Sequence, residues 1–248
     1  MSSREPEVSV HVLQDDRALA EAGAGLIAND AGAAIVARGR FNLGLSGGRT
    51  PAALYRALSQ RPADWLRVRV YFADERAVPP TDAESNFRLA RETLIDPAGI
   101  PPRNVHRMKG EYDDLDAAVE EYEAHLVEPL DVLVLGIGED GHTASIFPGS
   151  RLVVERVRRV AAVTDAPKPP PKRITVTPRV IREARRVVVL ATGSAKALAV
   201  ARALEGPTDI RAHPARMLRE YEWLVDRAAA AALSPTLREG RAAPSDRA

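Results

Sequence analysis

The sequence predicts an α/β fold, a mostly parallel sheet flanked by helices with a small antiparallel edge or lobe. Three observations predict it. Short apolar runs alternate with helix-forming segments, the order expected of βαβ units. Four of those runs lead straight into polar clusters that carry Ser, Asp, Glu, Arg or His. Aromatics are only 4% of a chain that is 45% hydrophobic, so the core must rest on Val, Leu, Ile and Ala. Runs of those residues suit a parallel sheet covered on both faces.

The first strand is expected at Val8–Leu13. A long Ala-rich helix follows over Asp15–Arg38, with Asp15 able to cap it and with Gly23, Gly25 and Gly32 weakening it. Phe41–Leu45 then runs into Ser46-Gly47-Gly48-Arg49 and a helix from Pro51 to Ser59. Val68–Phe72 runs into Ala73-Asp74-Glu75-Arg76, read as a loop. Leu130–Leu135 runs into Gly136-Ile137-Gly138-Glu139-Asp140-Gly141-His142. Val187–Ala191 runs into Thr192-Gly193-Ser194 and a helix carrying Lys196. Two shorter strand candidates, Arg158–Val163 and Arg173–Thr177, are joined by a loop whose consecutive prolines Pro169-Pro170-Pro171 keep it extended and stiff. They are assigned to the antiparallel edge or lobe. Residues 236–248 read as a flexible polar tail, and a single domain with a folded core over residues 8–233 is expected.

Composition excludes several classes of function. The net charge is +1, from 35 basic and 34 acidic residues, so no global field attracts nucleic acid or an anionic membrane. There is no cysteine, which removes disulfides, thiolate nucleophiles and Cys-based metal sites. The five histidines are scattered, with no H-x-x-x-H or H-E-x-x-H pair, and no metal site is expected. The N-terminal stretch lacks the apolar segment of a signal peptide, and no apolar run approaches the roughly 20 residues of a membrane span. A cytoplasmic protein is expected.

Ligands of open α/β sheets bind outside the carboxyl ends of the strands. If the strands are parallel, the four polar clusters therefore meet on one rim. Ser46-Gly47-Gly48 lets backbone N–H groups approach an anion closely, and Thr50 as N-cap with Pro51 at the first helical position would present a helix N-terminus to a phosphate. The same pattern also describes a plain capped turn. Gly136–Gly141 has the form G-x-G-x-x-G. However, Pro148-Gly149-Ser150 would end any helix within two turns, and Asp165 lies beyond the next strand candidate, so the dinucleotide context is missing. Asp140-Gly141-His142 is better read as a tight turn aiming a carboxylate and an imidazole into the cleft. His142 can take a proton from water and return it, or can be a structural histidine held by loop carbonyls. Asp74 could orient that imidazole or hold a sugar hydroxyl. Arg76 could hold a phosphate, a carboxylate or a neighbouring acid, or both could belong to a solvated ion-pair cluster. Arg173 and Lys196 are cations suited to phosphate, or ordinary surface charges.

Taken together, these segments resemble the 6-phosphogluconolactonase family, within the wider glucosamine-6-phosphate isomerase/deaminase group. The matching stretches are Leu45–Pro51, Phe72–Arg76 with Ser85-Asn86 beyond it, Gly136–Gly149, Pro167–Thr175 and Gly193–Ala197, in order over residues 10–230. The resemblance implies a modified Rossmann-like fold and hydrolysis of 6-phospho-D-glucono-1,5-lactone, with no metal and no organic cofactor. It implies that Ser46, Gly47, Gly48, Arg173 and Lys196 hold the phosphate, with Arg49 and Arg76 as further binding candidates. It makes His142 the acid/base, with Asp74 and Asp140 beside it. The isomerase/deaminase pattern resembles G-H-I-A-F-N-E-P-G, and its glutamate position is Phe147 here. A phenylalanine cannot carry the extra protons that ring opening and isomerisation need, so the departure favours the lactonase. The implied partner is a phosphorylated sugar lactone, and a monomer or weak homodimer is expected. A sugar-phosphate sensor is the reading of another class. It needs a DNA-binding segment, for which the sequence leaves no room before residue 8.

Overall fold

The computed structural model describes residues 8–239. Ser9–Leu13 (β1) leads into Asp16–Arg38 (α1), Phe41–Leu45 (β2), Arg49–Ser59 (α2) and Val68–Phe72 (β3). Asp74–Arg76 (β4), Asn86–Ala90 (α3), Asp96–Ala98 (α4), Leu115–His125 (α5) and Val132–Gly136 (β5) follow. Then come Val160–Val163 (β6), Arg173–Val176 (β7), Pro178–Glu183 (α6), Arg186–Ala191 (β8), Ala197–Glu205 (α7), Glu222–Asp226 (β9) and Pro235–Arg238 (α8). Six strands pair in parallel in the order β1-β9-β8-β5-β2-β3. The smaller sheet is antiparallel, in the order β4-β7-β6.

Strands β2, β5 and β8 of the main sheet are dry because they carry mostly apolar side chains on both faces, whereas no residue of edge strand β1 is buried. Every residue of β2 is buried, and Val132–Leu135 of β5 are fully buried. The one polar side chain of β2, Asn42, lies at the amino end of the strand, where the Asp131 carboxylate accepts its backbone N–H at 2.8 Å. Helix α1 starts where Asp15 accepts the Ala18 N–H at 2.8 Å and stops at Gly39, in the left-handed conformation at φ 74°. By length and composition α1 could cross a membrane. Here its stripe of Leu19, Ala24, Ile27, Ala31 and Ala34, spaced three to five residues apart, is buried in the core.

The topology places the predicted rim. Strands β8, β5 and β2 are immediate neighbours, and the loops at 192–196, 137–142 and 46–48 leave their carboxyl ends together. The fourth cluster leaves β3, next to β2. Ala73 joins the two sheets, donating to Leu45 O at 2.7 Å and accepting from Val176 N at 2.8 Å.

Four expectations need correction. Asp74–Arg76 is a strand of the small sheet, not a loop, because β7 supplies partners for its backbone. Thr50 does not cap α2: Gly48 is the N-cap, and Thr50 lies inside the helix with its hydroxyl on Thr192 Oγ1 at 2.6 Å. Lys196 ends a 3-10 turn, Ser194–Lys196, just before α7. Pro235–Arg238 form α8, so the first residues of the stretch expected as a flexible polar tail are helical; residues 240–248 lie outside the described residues. The sequence reading also gave no strand at β9, which sits inside the sheet with Trp223 fully buried.

Candidate active site

The bend after β2 is built by a tyrosine. Tyr55, one helical turn and more into α2, accepts the Ser46 N–H and donates to the Ser46 carbonyl through one hydroxyl, both at 2.9 Å. The Ser46 hydroxyl is buried without a hydrogen-bond partner. Gly48 adopts φ 110°, and no side chain caps α2, so the amide groups of its first turn face the rim. Arg49 in that turn is exposed.

Across the rim, Gly193 turns at φ 87°, and its N–H is held by both oxygens of buried Asp226, at 3.1 and 3.0 Å. That turn presents Lys196. Burial pushes the pKa of this ammonium down, Lys168 and Arg49 push the same way, and Glu139 and Asp140 oppose them. These charges define a common neighbourhood for the bend, the His142 loop and the Pro-rich loop. The Lys196 Nζ stands 3.9 Å from Glu139 Oε1.

No helix follows the Gly136–Gly141 segment. The Gly141 N–H bonds Gly138 O at 3.0 Å and the Gly138 N–H bonds His142 O at 2.8 Å, closing a tight turn with Gly141 at φ 84°. Inside it, Asp140 Oδ1 lies 2.5 Å from His142 Nδ1 and 3.4 Å from Lys168 Nζ. Burial would raise the Asp140 pKa, but the His142 hydrogen bond and the charges of His142 and Lys168 together hold it well below the usual carboxylate range. A carboxylate accepts from Nδ1–H, so Nε2 is the ring nitrogen not engaged by Asp140. Gly138 is a steric requirement: a β carbon there would stand 2.1 Å from His142 Nδ1. The 209–215 segment backs the loop, with Ala215 N on Gly141 O and Gly149 N on Arg211 O, each at 2.8 Å.

The imidazole stacks on buried Phe147, centroid to centroid 4.5 Å, and the Arg173 guanidinium lies 5.4 Å from the same ring. Arg173 donates to the carbonyls of Lys168, Pro169 and Pro170, so it also fixes the Pro-rich loop. Burial pushes its pKa down, and the Asp74 carboxylate opposes that shift. Register places Arg173 opposite Arg76 and Thr175 opposite Asp74, so these four share one face of the small sheet. Arg76 donates to Glu84 O at 2.6 Å, and its Nε is buried without a partner.

Of the two candidate aspartates, only Asp140 bonds the ring. Asp74 accepts from Ser145 Oγ at 2.6 Å and from Asn86 Nδ2 at 3.0 Å. The structure thus joins His142, Asp140, Lys168 and Lys196 on one side, and His142, Phe147, Arg173, Arg76 and Asp74 on the other. Sequence reading gave no role to Lys168, Gly138, Ser145, Tyr55 or Asp226. Gly138, Ser145 and Lys168 had one signal, a place inside the matched motifs. Among the described residues, no group of three or more His, Asp or Glu side chains is placed to hold a metal ion.

A family model described as glucosamine-6-phosphate isomerases/6-phosphogluconolactonase matches residues 14–225. The chain belongs to this family. Within the glucosamine-6-phosphate isomerase/6-phosphogluconolactonase family, the chain is 40% identical over 242 residues to the 6-phosphogluconolactonase of Mycobacterium tuberculosis, an alignment that covers 91% of this chain and 98% of that protein. It is 37% identical over 243 residues to the human 6-phosphogluconolactonase, covering 91% and 93%. Among solved structures it resembles 6-phosphogluconolactonase from Trypanosoma brucei, with TM-score 0.82, 29% identity and coverage of 93% and 100%. It also resembles a monomeric glucosamine-6-phosphate deaminase, with TM-score 0.79, 25% identity and coverage of 90% and 99%. The family fold therefore carries both chemistries, and the site has to distinguish them. Position 147, read as the deaminase glutamate, holds a phenyl ring wedged between imidazole and guanidinium. That ring stacks on His142, whose loop lies on the same rim as the Ser46–Gly48 bend.

Proposed function

We propose that this chain hydrolyses 6-phospho-D-glucono-1,5-lactone to 6-phospho-D-gluconate, the second step of the oxidative pentose phosphate pathway, by His142-assisted attack of water. The observation that carries the reading is the 2.5 Å Asp140–His142 pair, held on the rim that also bears the uncapped start of α2 and Lys196. The substrate phosphate sits at Ser46, Gly47, Gly48 and Arg49, with Lys196, Arg173 and Arg76 supplying positive charge. Anchoring one end of the lactone places its carbonyl carbon near Nε2 before reaction.

Nε2 takes a proton from water as the water oxygen bonds to C1. Asp140 stabilises the imidazolium and keeps the tautomer. The tetrahedral oxyanion collapses, the bond from C1 to the ring oxygen breaks, and the imidazolium returns its proton to that oxygen. The new carboxylic acid ionises, releasing one proton to solvent. A positioned acid/base contributes about 10²–10⁴-fold, and an oxyanion donor about 3–4 kcal/mol, which is ample for an ester that already hydrolyses in water. Asp74 enters as a positioning residue, since both of its oxygens are engaged. The reading includes no metal and no organic cofactor, a cytoplasmic location, a single domain, and a monomer or weak homodimer.

The test is proton release from freshly generated phosphogluconolactone, run beside ammonia release from glucosamine 6-phosphate. Proton release that falls by about 10²–10⁴-fold in His142→Ala is expected. Ammonia release by the wild type, or near-normal turnover by His142→Ala, would overturn the reading.

A further inference from the structure

The Ser46–Gly48 bend and the His142 loop are not in direct hydrogen-bond contact, yet catalysis needs a fixed distance between them. We infer that Asn86 is a positioning residue that sets this distance, by filling the β-carbon space of Gly47 while bonded to Asp74. The inference rests on the reading of the bend as the phosphate cradle.

Asn86 is 2% exposed and fixed from both ends. Its backbone N–H donates to Glu75 Oε1 at 2.7 Å, and Ser85 Oγ and Phe87 N donate to Oε2 of the same carboxylate. Its side-chain Nδ2 donates to Asp74 O at 2.8 Å and to Asp74 Oδ1 at 3.0 Å. Those two acceptors settle the amide orientation, because the flipped amide would set oxygen against oxygen. The carboxamide oxygen must then point the other way. There it is buried without a hydrogen-bond partner, and it lies 1.8 Å from where a Gly47 β carbon would stand. Gly47 is not among the positive-φ residues. Glycine is needed at 47 because the Asn86 amide occupies the space of a side chain, not because the backbone is left-handed.

The other side of Asp74 leads to the acid/base loop. Asp74 Oδ2 accepts from Ser145 Oγ at 2.6 Å, and the Ser145 N–H donates to Thr175 Oγ1 at 3.1 Å. Ser145 lies three residues beyond His142, in a loop tied to β5 by Thr143 Oγ1 on Gly136 O at 2.9 Å. Half-buried Gly47 and buried Asn86, Asp74 and Ser145 therefore form one continuous series between the phosphate subsite and the imidazole. A series of this kind transmits small displacements, since close-packed neighbours cannot absorb them. A shift of about 1 Å in reacting geometry costs about 10²-fold in rate.

The test is a double-mutant cycle of Gly47→Ala and Asn86→Ala, read by kcat and KM on phosphogluconolactone, by the inhibition constant of inorganic phosphate, and by thermal unfolding. Gly47→Ala should weaken phosphate inhibition by at least about tenfold, since its methyl group collides with the carboxamide. Asn86→Ala should lower kcat by about tenfold with a smaller effect on phosphate inhibition. The double variant should bind phosphate better than Gly47→Ala alone, because the space has been cleared. If Gly47→Ala does not fold, the same rescue is expected in the melting temperature of the double variant. Simple additivity in the cycle, with wild type inhibited by phosphate, overturns the role of Asn86 and leaves the phosphate cradle standing. Absence of phosphate inhibition in the wild type overturns the cradle and this inference together.

Discussion

Asp140 Oδ1 lies 2.5 Å from His142 Nδ1, two residues away in the same tight turn. The pair fixes the tautomer that leaves Nε2 free, and it opposes the cost of forming an imidazolium beside Lys168 and Lys196. Asp140→Asn keeps the shape but lets the amide present a donor to Nδ1. We predict a fall of about 10²-fold in kcat with a much smaller change in KM, measured by initial rates of proton release. The same pair makes a pH prediction. The folded carboxyl titrates below its ordinary value near 3.8, so its ionised form contributes stability at neutral pH. That contribution is lost as pH falls below the ordinary value toward the folded one. The melting-temperature gap between wild type and Asp140→Asn should therefore narrow from pH 7 to pH 3.

Gly138 should be as intolerant of change as the histidine itself. An added β carbon would stand 2.1 Å from His142 Nδ1 and 2.5 Å from Asp140 Oδ1, so Gly138→Ala must push one partner away. The core strands are untouched by that movement. The expected result is a loss of kcat of at least about 10²-fold with a melting temperature close to wild type. Retained activity would mean that the pair is not needed.

These two residues also show what was legible in the sequence. The parallel sheet could be read because β2, β5 and β8 are mostly apolar on both faces, a pattern that survives without any tertiary information. Asp74–Arg76 could not be read as a strand. Its polarity resembles a loop until Glu75 is seen accepting four hydrogen bonds around the start of α3, from Arg76 N, Asn86 N, Phe87 N and Ser85 Oγ. Strand β9 was hidden because Glu222 and Asp226 bracket only three apolar residues. The candidate site residues were found as types in motifs. Their pairing was not legible: the choice of Asp140 over Asp74 depends on a turn closed by Gly138 and Gly141, and the partner of Asp74 is 71 residues away at Ser145.

Lys196 carries a pH prediction of its own. Burial lowers its pKa from the ordinary 10.5, and the cationic form is the one that attracts a dianion. Affinity for the product 6-phosphogluconate, which is stable in alkali, should therefore begin to fall at a pH below 10.5. A bound phosphate stabilises the ammonium, so binding on that alkaline limb takes up protons. Titration calorimetry in buffers of different ionisation enthalpy measures this uptake. Lys196→Arg should abolish it, because guanidinium does not titrate there. Uptake that persists in Lys196→Arg would assign the titration to another group.

Tyr55 and Tyr122 use the same device at neighbouring strand ends, and comparing them separates cradle from acid/base loop. Tyr55 Oη binds the Ser46 N–H and carbonyl; Tyr122 Oη binds the Phe72 N–H at 2.7 Å and the Phe72 carbonyl at 2.9 Å. Both tyrosines are buried. Replacing either by Phe leaves two buried backbone groups unpaired. Each variant should lose about 2 kcal/mol of stability, or about 6 °C in melting temperature. Their kinetic effects should differ. Ser46 begins the bend proposed to hold the phosphate, so Tyr55→Phe should mainly raise KM and weaken inhibition by inorganic phosphate. Phe72 leads through Ala73 to Asp74, whose partner Ser145 lies in the His142 loop, so Tyr122→Phe should mainly lower kcat. Equal loss of stability with opposite splits between KM and kcat cannot come from general loosening, since loosening would move both parameters alike in both variants. If the two variants show the same split, the hydroxyls merely secure the sheet, and the position of Ser46 does not set phosphate affinity.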